Sequence, residues 1–305
     1  MTLPESNSEY SHLGKAALTV IARGADERIT FLKEPHWVGY GRAREILLDF
    51  EDLVVHPRMH RMPCRLLLGA TNNGKTVLLK RFAKLHPTVE TADHQGICAP
   101  ALWVQAPPVP DESRFYEAIL RRIFAPYRHS DSAAKRETIV ISHLQRLQLK
   151  VLLIDEIHHL IAGPTSRHRQ MLNVIKALGT ALEISMVAAG TKEAFAAMKS
   201  DPQMENRFLP VVLPRWEMGD EFDRLLASFE SLLPLRLPSH LADDEALARK
   251  VFSLIGGKIG ELWNLLTAAA TLAIREGKER IDVNLIDRSG WKAPGDRGEL
   301  LRNVD

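Results

Sequence analysis

Apolar residues are distributed along the chain in two alternating patterns. Short continuous apolar runs, typical of strands buried on both faces, occur at Leu66–Leu68, 101–106, 150–155, 184–191 and 211–216. Between them, apolar residues recur every three or four positions, which predicts amphipathic helices such as one from about Arg42 to just before Pro57. Strands that alternate with helices at this pace predict βαβ units and an α/β fold with a mostly parallel sheet.

The pattern changes near Glu217. Residues 219–234, 243–256 and 258–277 all have helical spacing, and no strand pattern lies among them. We therefore predict four regions: a partly ordered arm over 1–35, an α/β domain over 36–216, a small all-helical domain over 217–290 and a loosely attached tail over 291–305.

Composition restricts the class of protein more than its activity. The chain has 305 residues, of which 45% are hydrophobic and 26% charged, as in ordinary soluble proteins. A net charge of +2 neither requires nor excludes a polyanionic partner. The cysteines, Cys64 and Cys98, are predicted to be unbridged thiols. The chain starts without a secretory signal pattern and has no run of 18 apolar residues, so we expect a cytoplasmic protein with no membrane partner.

A glycine-rich segment after the first strand carries the clearest chemical signal. GATNNGKT fits the P-loop pattern at Gly69, Gly74, Lys75 and Thr76, and it lies between an apolar strand and an amphipathic helix, as that motif requires. The backbone N–H groups would hold phosphates, Lys75 would reach the β and γ phosphates, and Thr76 would bind Mg²⁺. The predicted ATP-binding residues here are Gly69, Ala70, Thr71, Asn72, Asn73, Gly74, Lys75, Thr76 and Val77.

Two carboxylates follow the buried run VLLI, 80 residues after Lys75. In a parallel sheet, the carboxyl end of this strand would lie next to the P-loop. Asp155 is therefore predicted to bind Mg²⁺, and Glu156 to polarise the water that attacks the γ-phosphate. The pair indicates hydrolysis as well as binding.

Two further polar residues have two interpretations each. Thr191, which ends the run ISMVAAG, is placed either to contact the attacking water or to cap the helix that follows. Arg207 lies between a helix and a strand, where it is either an arginine finger for a neighbouring subunit or a surface arginine in an ion pair.

The remaining candidate residues are those that could contact the adenine base of ATP and those that could bind a second metal ion. Trp37 and Val38 precede the first helix of the α/β domain, where they would either contact adenine or pack in the core. The adjacent His158 and His159 have no cysteine or suitably spaced acid near them, so we predict no metal site beyond Mg²⁺.

Several segments together resemble the TniB proteins, which are AAA+ transposition regulators. The resemblance covers roughly residues 30–280 and is carried by HWVGYGRAREILLDF, HRMPCRLLLGATNNGKT, VQAPPVPDESRFY, LLIDEIHHLIAG, AAGTKEA and KIGELWNLLTAAA. It implies a three-layer αβα AAA+ core with a helical lid. By position, it also implies that Thr191 is sensor 1 and Arg207 the arginine finger.

The same resemblance implies the partners. Such proteins assemble on double-stranded DNA as ATP-dependent rings or filaments, mark a target site, and recruit a DDE transposase. DNA contacts are expected after the second strand, from Arg114, Arg121, Arg122, Arg128 and Lys135, with His129 and Arg136 nearby. The chain departs from many AAA+ lids at sensor 2, because GGKIGELW has Lys258 and Glu261 where an arginine is usual.

Two other functions use the same ATPase core. One is a helicase loader or a remodeller of a protein client, and the other is a monomeric switch whose lid senses the nucleotide. A finger supplied by Arg207 in trans requires neighbouring subunits and so argues against the monomeric switch.

Overall fold

The computed structural model describes residues 10–91, 96–161 and 165–295. They form two compact units, one of Gly41–Pro214 and one of the described residues in Met1–Tyr40 and Arg215–Asp305. Cys64 and Cys98 are free thiols, as predicted. Within the described ranges, no helix is long and apolar enough to cross a membrane.

The elements follow one another in chain order. The first half contains α1 Lys15–Leu18, α2 Ala25–Lys33, α3 Gly41–Val55, β1 Cys64–Gly69, α4 Lys75–Leu85, β2 Val89–Glu90, β3 Ile97–Cys98, β4 Ala101–Gln105, α5 Glu112–Arg122 and α6 Ala133–Arg146. The second half contains β5 Val151–Asp155, a 3-10 helix Ile157–His159, α7 Thr165–Leu182, β6 Ser185–Gly190, α8 Lys192–Lys199, α9 Pro202–Arg207, β7 Phe208–Leu213, α10 Asp220–Glu230, α11 Glu245–Ile255, α12 Ile259–Arg275 and α13 Val283–Arg288.

A five-stranded sheet organises the Gly41–Pro214 unit. Its order is β4-β5-β6-β1-β7, and every neighbouring pair is parallel. All residues of β5 and β6 are buried, as their continuous apolar sequences predict. The predicted α/β fold with a mostly parallel sheet is confirmed.

The last strand starts and ends earlier than its sequence predicts. The apolar pattern predicts a strand over 211–216, but β7 covers Phe208–Leu213 and has Pro210 in its interior. Proline cannot donate a backbone hydrogen bond, and sheets tolerate it on edge strands. Among the described strands, β7 pairs with β1 and forms the edge of the sheet, so Pro210 lies on the kind of strand that tolerates proline.

The described part of the predicted N-terminal arm is helical. Ile29 and Leu32 of α2 are buried in one apolar cluster with residues of α10, α11 and α12, such as Phe222 and Leu265. The sequence alone predicts an arm here because α1 and α2 are short and weakly amphipathic. Of the predicted tail, Trp291 packs against the same cluster, and residues 296–305 lie outside the described ranges.

A buried ion pair joins α2 to the C-terminal helices. The Arg28 guanidinium donates to both oxygens of Glu279 at 2.7 Å and to the Pro234 carbonyl at 3.0 Å. Burial by itself raises the pKa of the Glu279 carboxyl, but the hydrogen bonds from Arg28 and from the Arg236 N–H outweigh burial and lower it. The pair therefore stabilises the fold above the unfolded glutamate pKa of about 4.3, and this contribution is lost as pH falls below it.

We expect Arg28→Ala to lower the free energy of unfolding by about 3–5 kcal/mol, because it leaves the Glu279 carboxylate buried without its partner. Arg23→Ala is the matched control, since Arg23 pairs with Glu27 only at the surface, where such pairs contribute about 0–1 kcal/mol. Urea unfolding at pH 7 measures both. Equal midpoints for the two variants would contradict a stabilising role for the buried pair.

Candidate functional site

Three strand ends bring the predicted catalytic residues to one edge of the sheet. Leu68 of β1 pairs with Gly190 of β6, and Ile154 of β5 pairs with Ala188 of β6. The residues that follow these strands therefore lie beside one another at the carboxyl edge, where open parallel sheets bind ligands. They are the loop from Gly69, the Asp155–Glu156 pair, and Thr191.

The loop at Gly69–Thr76 has a backbone that requires its glycines. Gly74 has φ of 89°, in the left-handed region that glycine adopts without steric cost. A Cβ on Gly69 would lie 3.0 Å from the Leu213 carbonyl oxygen, so a larger residue there would push the loop away from the end of β7.

The Asn73 side chain fixes the loop to the end of β7. Asn73 is buried, and its Nδ2 donates to the Leu213 carbonyl at 3.0 Å and to the Pro214 carbonyl at 2.8 Å. The sequence predicts Asn73 only as one of the loop residues. Its anchoring role depends on a strand about 140 residues away in sequence, which no local pattern indicates.

Lys75 starts α4 with its side chain turned back into the loop. Its Nζ donates to the Gly69 and Ala70 carbonyls, each at 2.9 Å. Burial lowers the pKa of Lys75, and the nearby charges of Glu156 and Asp155 partly oppose that shift. The ammonium group thus lies inside the loop, on the side of the two carboxylates, where a phosphate would accept its hydrogen bonds.

We expect Lys75→Ala to weaken ATP binding by about 10- to 100-fold, because a hydrogen bond to a charged group contributes about 1.5–3 kcal/mol. Lys84→Ala, an exposed lysine in the last turn of the same helix, is the control and should bind normally. Titration with a fluorescent ATP analogue measures both affinities. Unchanged affinity in Lys75→Ala would exclude Lys75 from the phosphate site.

Asp155 and Glu156 point in different directions from the end of β5. Asp155 is buried, and its Oδ1 accepts the Glu156 backbone N–H at 3.0 Å. Glu156 has φ of 54°, so the chain turns sharply from the strand into the 3-10 helix, and its side chain is about one third exposed. One carboxylate is thus held at the sheet edge while the other faces solvent, beside the P-loop.

The residues fit Mg²⁺ held together with phosphates. Magnesium in such sites takes one or two protein oxygens and fills its shell with phosphate oxygens and water. The Thr76 hydroxyl, half-buried at the start of α4, and Asp155 are the protein groups suited to it. Among the described residues, no group of three or more His, Cys, Asp or Glu is arranged to hold a metal by itself.

His158 contacts Glu156, which the sequence does not predict. Its Nδ1 lies 3.1 Å from Glu156 Oε2, and its ring packs edge-on against His159 with centroids 4.3 Å apart. In the sequence, the contact is indicated only by the fact that His158 follows Glu156 by two positions. The His158 ring therefore lies against the solvent-facing carboxylate.

Thr191 directly follows β6 and directly precedes α8. Its hydroxyl donates to the Glu193 carboxylate, and it makes no side-chain hydrogen bond to the helix N-terminus. That hydrogen bond is the largest cause of a lowered pKa at Glu193. Thr191 thus occupies the helix-capping position and also faces the carboxyl edge beside the P-loop.

Arg207 lies at the opposite edge of the sheet. It precedes Phe208, which pairs with Cys64 at the start of β1, whereas the P-loop follows the end of β1. The length of β1, roughly 16 Å, separates these two edges. The guanidinium Nη1 contacts the Lys176 carbonyl at 3.5 Å and the Thr180 hydroxyl at 3.4 Å, and Arg207 lines a cavity of about 430 Å³.

The predicted DNA-contacting residues lie on α5, on α6 and between them. Arg114, Arg121, Arg122, Arg128 and Lys135 are exposed. Their charge is partly balanced, since Lys135 pairs with Asp131 at 2.6 Å and Arg121 with Glu117 at 3.3 Å. Arg136 differs from them: it is buried and donates to the His129 carbonyl, so it stabilises the fold.

The residues predicted to contact adenine and the residues at the sensor 2 position belong to the unit formed by the described residues of Met1–Tyr40 and Arg215–Asp305. Trp37 is half-buried, and Val38 packs against the apolar cluster of α10–α12. Lys258 immediately precedes α12, and Glu261 in its first turn is buried.

The chain matches a known protein family. A family model described as the bacterial TniB protein matches residues 28–218, which is more than half of the chain. The match includes the P-loop, both carboxylates, Thr191 and Arg207. No curated protein matches the sequence.

Several solved structures share the fold. The chain is 16% identical to the Aeropyrum pernix ORC2 protein in ADPNP–ADP complexes, covering 86% of this chain and 71% of that one, with a TM-score of 0.61. It is 17% identical to the Aeropyrum pernix ORC1 protein in complex with DNA, covering 90% and 70%, with a TM-score of 0.60. It is 16% identical to Cdc6p from Pyrobaculum aerophilum, covering 85% of this chain and 69% of that one, with a TM-score of 0.59. These similarities establish an AAA+ P-loop ATPase fold.

Proposed function

This chain belongs to the TniB family, and from that membership we propose that it is an ATP-dependent AAA+ ATPase that assembles on duplex DNA, selects a target site, and recruits and activates a DDE transposase. The observation that carries the proposal is the carboxyl edge of the sheet, where the P-loop with Lys75 follows β1 and where β5 ends at Asp155 and Glu156. The other steps rest on the residues described below.

ATP hydrolysis is assigned to that edge. The loop N–H groups and Lys75 bind the phosphates, and Thr76 and Asp155 hold Mg²⁺, which would neutralise charge on the leaving phosphate. Glu156 polarises the attacking water, and Thr191 orients it. A helical lid of 217–290 follows the ATPase domain that contains these residues.

Assembly into a ring or filament is supported by the position of Arg207. A residue at the opposite edge from its own P-loop cannot reach the γ-phosphate bound there, and the half-buried Arg207 lines a cavity at that opposite edge. Its role as an arginine finger therefore requires an oligomer. Each subunit would then complete the site of its neighbour.

Duplex DNA is the partner proposed for the surface of α5 and α6. Five exposed basic side chains there, Arg114, Arg121, Arg122, Arg128 and Lys135, would bind phosphates without reading base sequence. The ORC1 protein to which this chain is similar was solved in complex with DNA, which supports a DNA partner for the same fold.

Electron microscopy tests the proposal as a whole. The protein is imaged with and without linear duplex DNA, in ATP, in a non-hydrolysable analogue and in ADP. Rings or filaments on DNA that form with ATP or the analogue and disappear in ADP are the expected result. An ATPase that never assembles on DNA would instead favour a helicase loader or a remodeller of protein clients.

DNA affinity should fall steeply as salt concentration rises. Each neutralised phosphate contributes about −0.9 to the slope of log affinity against log salt, so contacts from four or five of these residues predict a slope of about −4. Fluorescence anisotropy with a labelled duplex at several salt concentrations measures it. An affinity independent of salt would contradict the basic surface.

A further inference from the structure

Phe124 is the most exposed large apolar side chain among the described residues. Its exposed fraction is 91%, although a phenylalanine ring is usually buried in the core of a domain. The residues on either side are covered, since Ala125 is buried and Ile123 is half-buried. The fold therefore leaves the Phe124 ring almost fully exposed to solvent.

The backbone at Phe124 holds the ring outside. Its φ is 54°, in the left-handed region that residues with a side chain rarely adopt. Its N–H donates to the Arg121 carbonyl at 3.2 Å, and the Ala125 N–H donates to the Leu120 carbonyl at 2.9 Å. These bonds end α5 with a turn at which glycine is the favoured residue. The conformation of this turn does not favour phenylalanine, so we look for another role of the Phe124 ring.

Two arginines are held in place immediately before the ring. Arg121 Nε donates to the Tyr127 hydroxyl at 2.8 Å, and Arg122 Nε donates to the Trp103 carbonyl at 3.0 Å. Both side chains remain largely exposed, and one outer N–H of Arg121 pairs with Glu117 at 3.3 Å, so the remaining outer N–H groups of each guanidinium can still bind phosphate. Arg128, four residues after the ring, is exposed as well. An exposed aromatic ring that is close in sequence to three exposed arginines matches a polyanion that has apolar surfaces between its charges.

We propose that Phe124 inserts between base pairs of duplex DNA from the minor groove, while Arg121 and Arg122 bind the phosphates beside it. This inference rests on the proposed DNA-binding function and adds a deformation of the DNA to it. Apolar side chains that enter a base step in this way unstack it and bend the duplex toward the major groove. Steps such as TA and CA deform at the lowest cost, so the protein would favour sites that contain them without any base-specific hydrogen bond.

The test compares Phe124→Gly, Phe124→Trp and the wild-type protein. Glycine relieves the strained φ, so Phe124→Gly should unfold at the same temperature as wild type or a higher one. Val55→Ala is the matched control, because Val55 is 76% exposed at the end of α3 and lies away from the basic side chains of α5 in sequence. All proteins are measured with the non-hydrolysable ATP analogue, on a duplex with one central TA step.

Two readouts report the insertion. Energy transfer between dyes on the two DNA ends reports bending, and fluorescence of 2-aminopurine beside the TA step reports unstacking. We expect wild type, Phe124→Trp and Val55→Ala to bend the duplex and raise the fluorescence. Phe124→Gly should do neither and should bind about tenfold more weakly, in line with the contribution of one stacked aromatic ring.

The possible results separate the insertion from DNA binding in general. If Phe124→Gly binds and bends the duplex as wild type does, the insertion is overturned while DNA binding stands. If Phe124→Gly fails to oligomerise with nucleotide in the absence of DNA, the ring contacts a second copy of the chain, which also overturns the insertion. If the wild-type protein binds no duplex in the analogue, the proposed function itself fails.

Discussion

Glu156→Gln is expected to lower the rate of ATP hydrolysis by about 10²–10⁴-fold and to leave ATP affinity unchanged. A positioned carboxylate that takes a proton from the attacking water contributes about this factor, and an amide of the same size cannot take that proton. Glu156 is at the right place for this role, because it follows β5 at the sheet edge and its charge acts on Lys75. Steady-state phosphate release and binding of a fluorescent ATP analogue measure the two quantities separately.

The matched control for this substitution is Glu183→Gln. Glu183 is also a glutamate in the left-handed region, with φ of 48°, but it is exposed and precedes β6 at the opposite edge of the sheet. The Glu183→Gln variant should hydrolyse ATP at the wild-type rate. Normal hydrolysis in Glu156→Gln would show that another group activates the water. Loss of ATP binding would show that Glu156 holds the phosphate site together instead.

The sequence predicts the parts of the site that depend on local patterns. A P-loop and a strand that ends in two carboxylates each extend over fewer than ten residues, so the chain reveals them without knowledge of the fold. The parallel direction of the strands then follows from general rules for βαβ units. For this reason Gly69, Asp155 and Thr191 are predicted at one edge of the sheet before any coordinates are known.

Contacts between residues far apart in sequence leave no such pattern. The Asn73 amide holds the P-loop through the carbonyls that end β7, and Arg28 reaches Glu279 across 251 positions of sequence. The N-terminal helices are short, so their helical spacing is weak, and most of their stability comes from burial of residues such as Ile29 and Leu32. The strands β2 and β3 and the helix α13 are not predicted either, because they are too short to show a clear pattern.

Exposure is the second property that sequence does not show. Phe124 and Phe115 are both phenylalanines of the same region, yet Phe115 is fully buried and Phe124 is almost fully exposed. Arg121 and Arg136 both belong to the basic segment, but the buried Arg136 pairs with Glu117 and cannot serve as a free phosphate ligand. The three-dimensional structure is needed to tell the buried residues of this segment from the exposed ones that a ligand can contact.

Arg207→Ala is expected to lower DNA-stimulated ATP hydrolysis by about 10³-fold or more, the usual effect of removing an arginine finger, and to leave ATP binding in each subunit intact. The guanidinium already has a place on its own subunit, where it rests on the Lys176 carbonyl and the Thr180 hydroxyl. The Nη2 atom of Arg207 is buried without a hydrogen-bond partner among the described residues, so the side chain would have to leave this place to reach a phosphate on a neighbouring subunit. Phosphate release in the presence of duplex DNA is the measurement.

Mixing two inactive variants distinguishes a finger in trans from a structural role within one subunit. Lys75→Ala binds ATP about 10- to 100-fold more weakly, so it stays mostly empty at an ATP concentration that fills Arg207→Ala, but it retains Arg207. Arg207→Ala binds ATP but lacks the finger. When both are present in one assembly, each Arg207→Ala subunit that lies beside a Lys75→Ala subunit regains a complete site, so the mixture should hydrolyse ATP faster than either variant alone. A mixture that stays inactive while it assembles on DNA would show that Arg207 acts within its own subunit, on the α7 contacts that the structure contains.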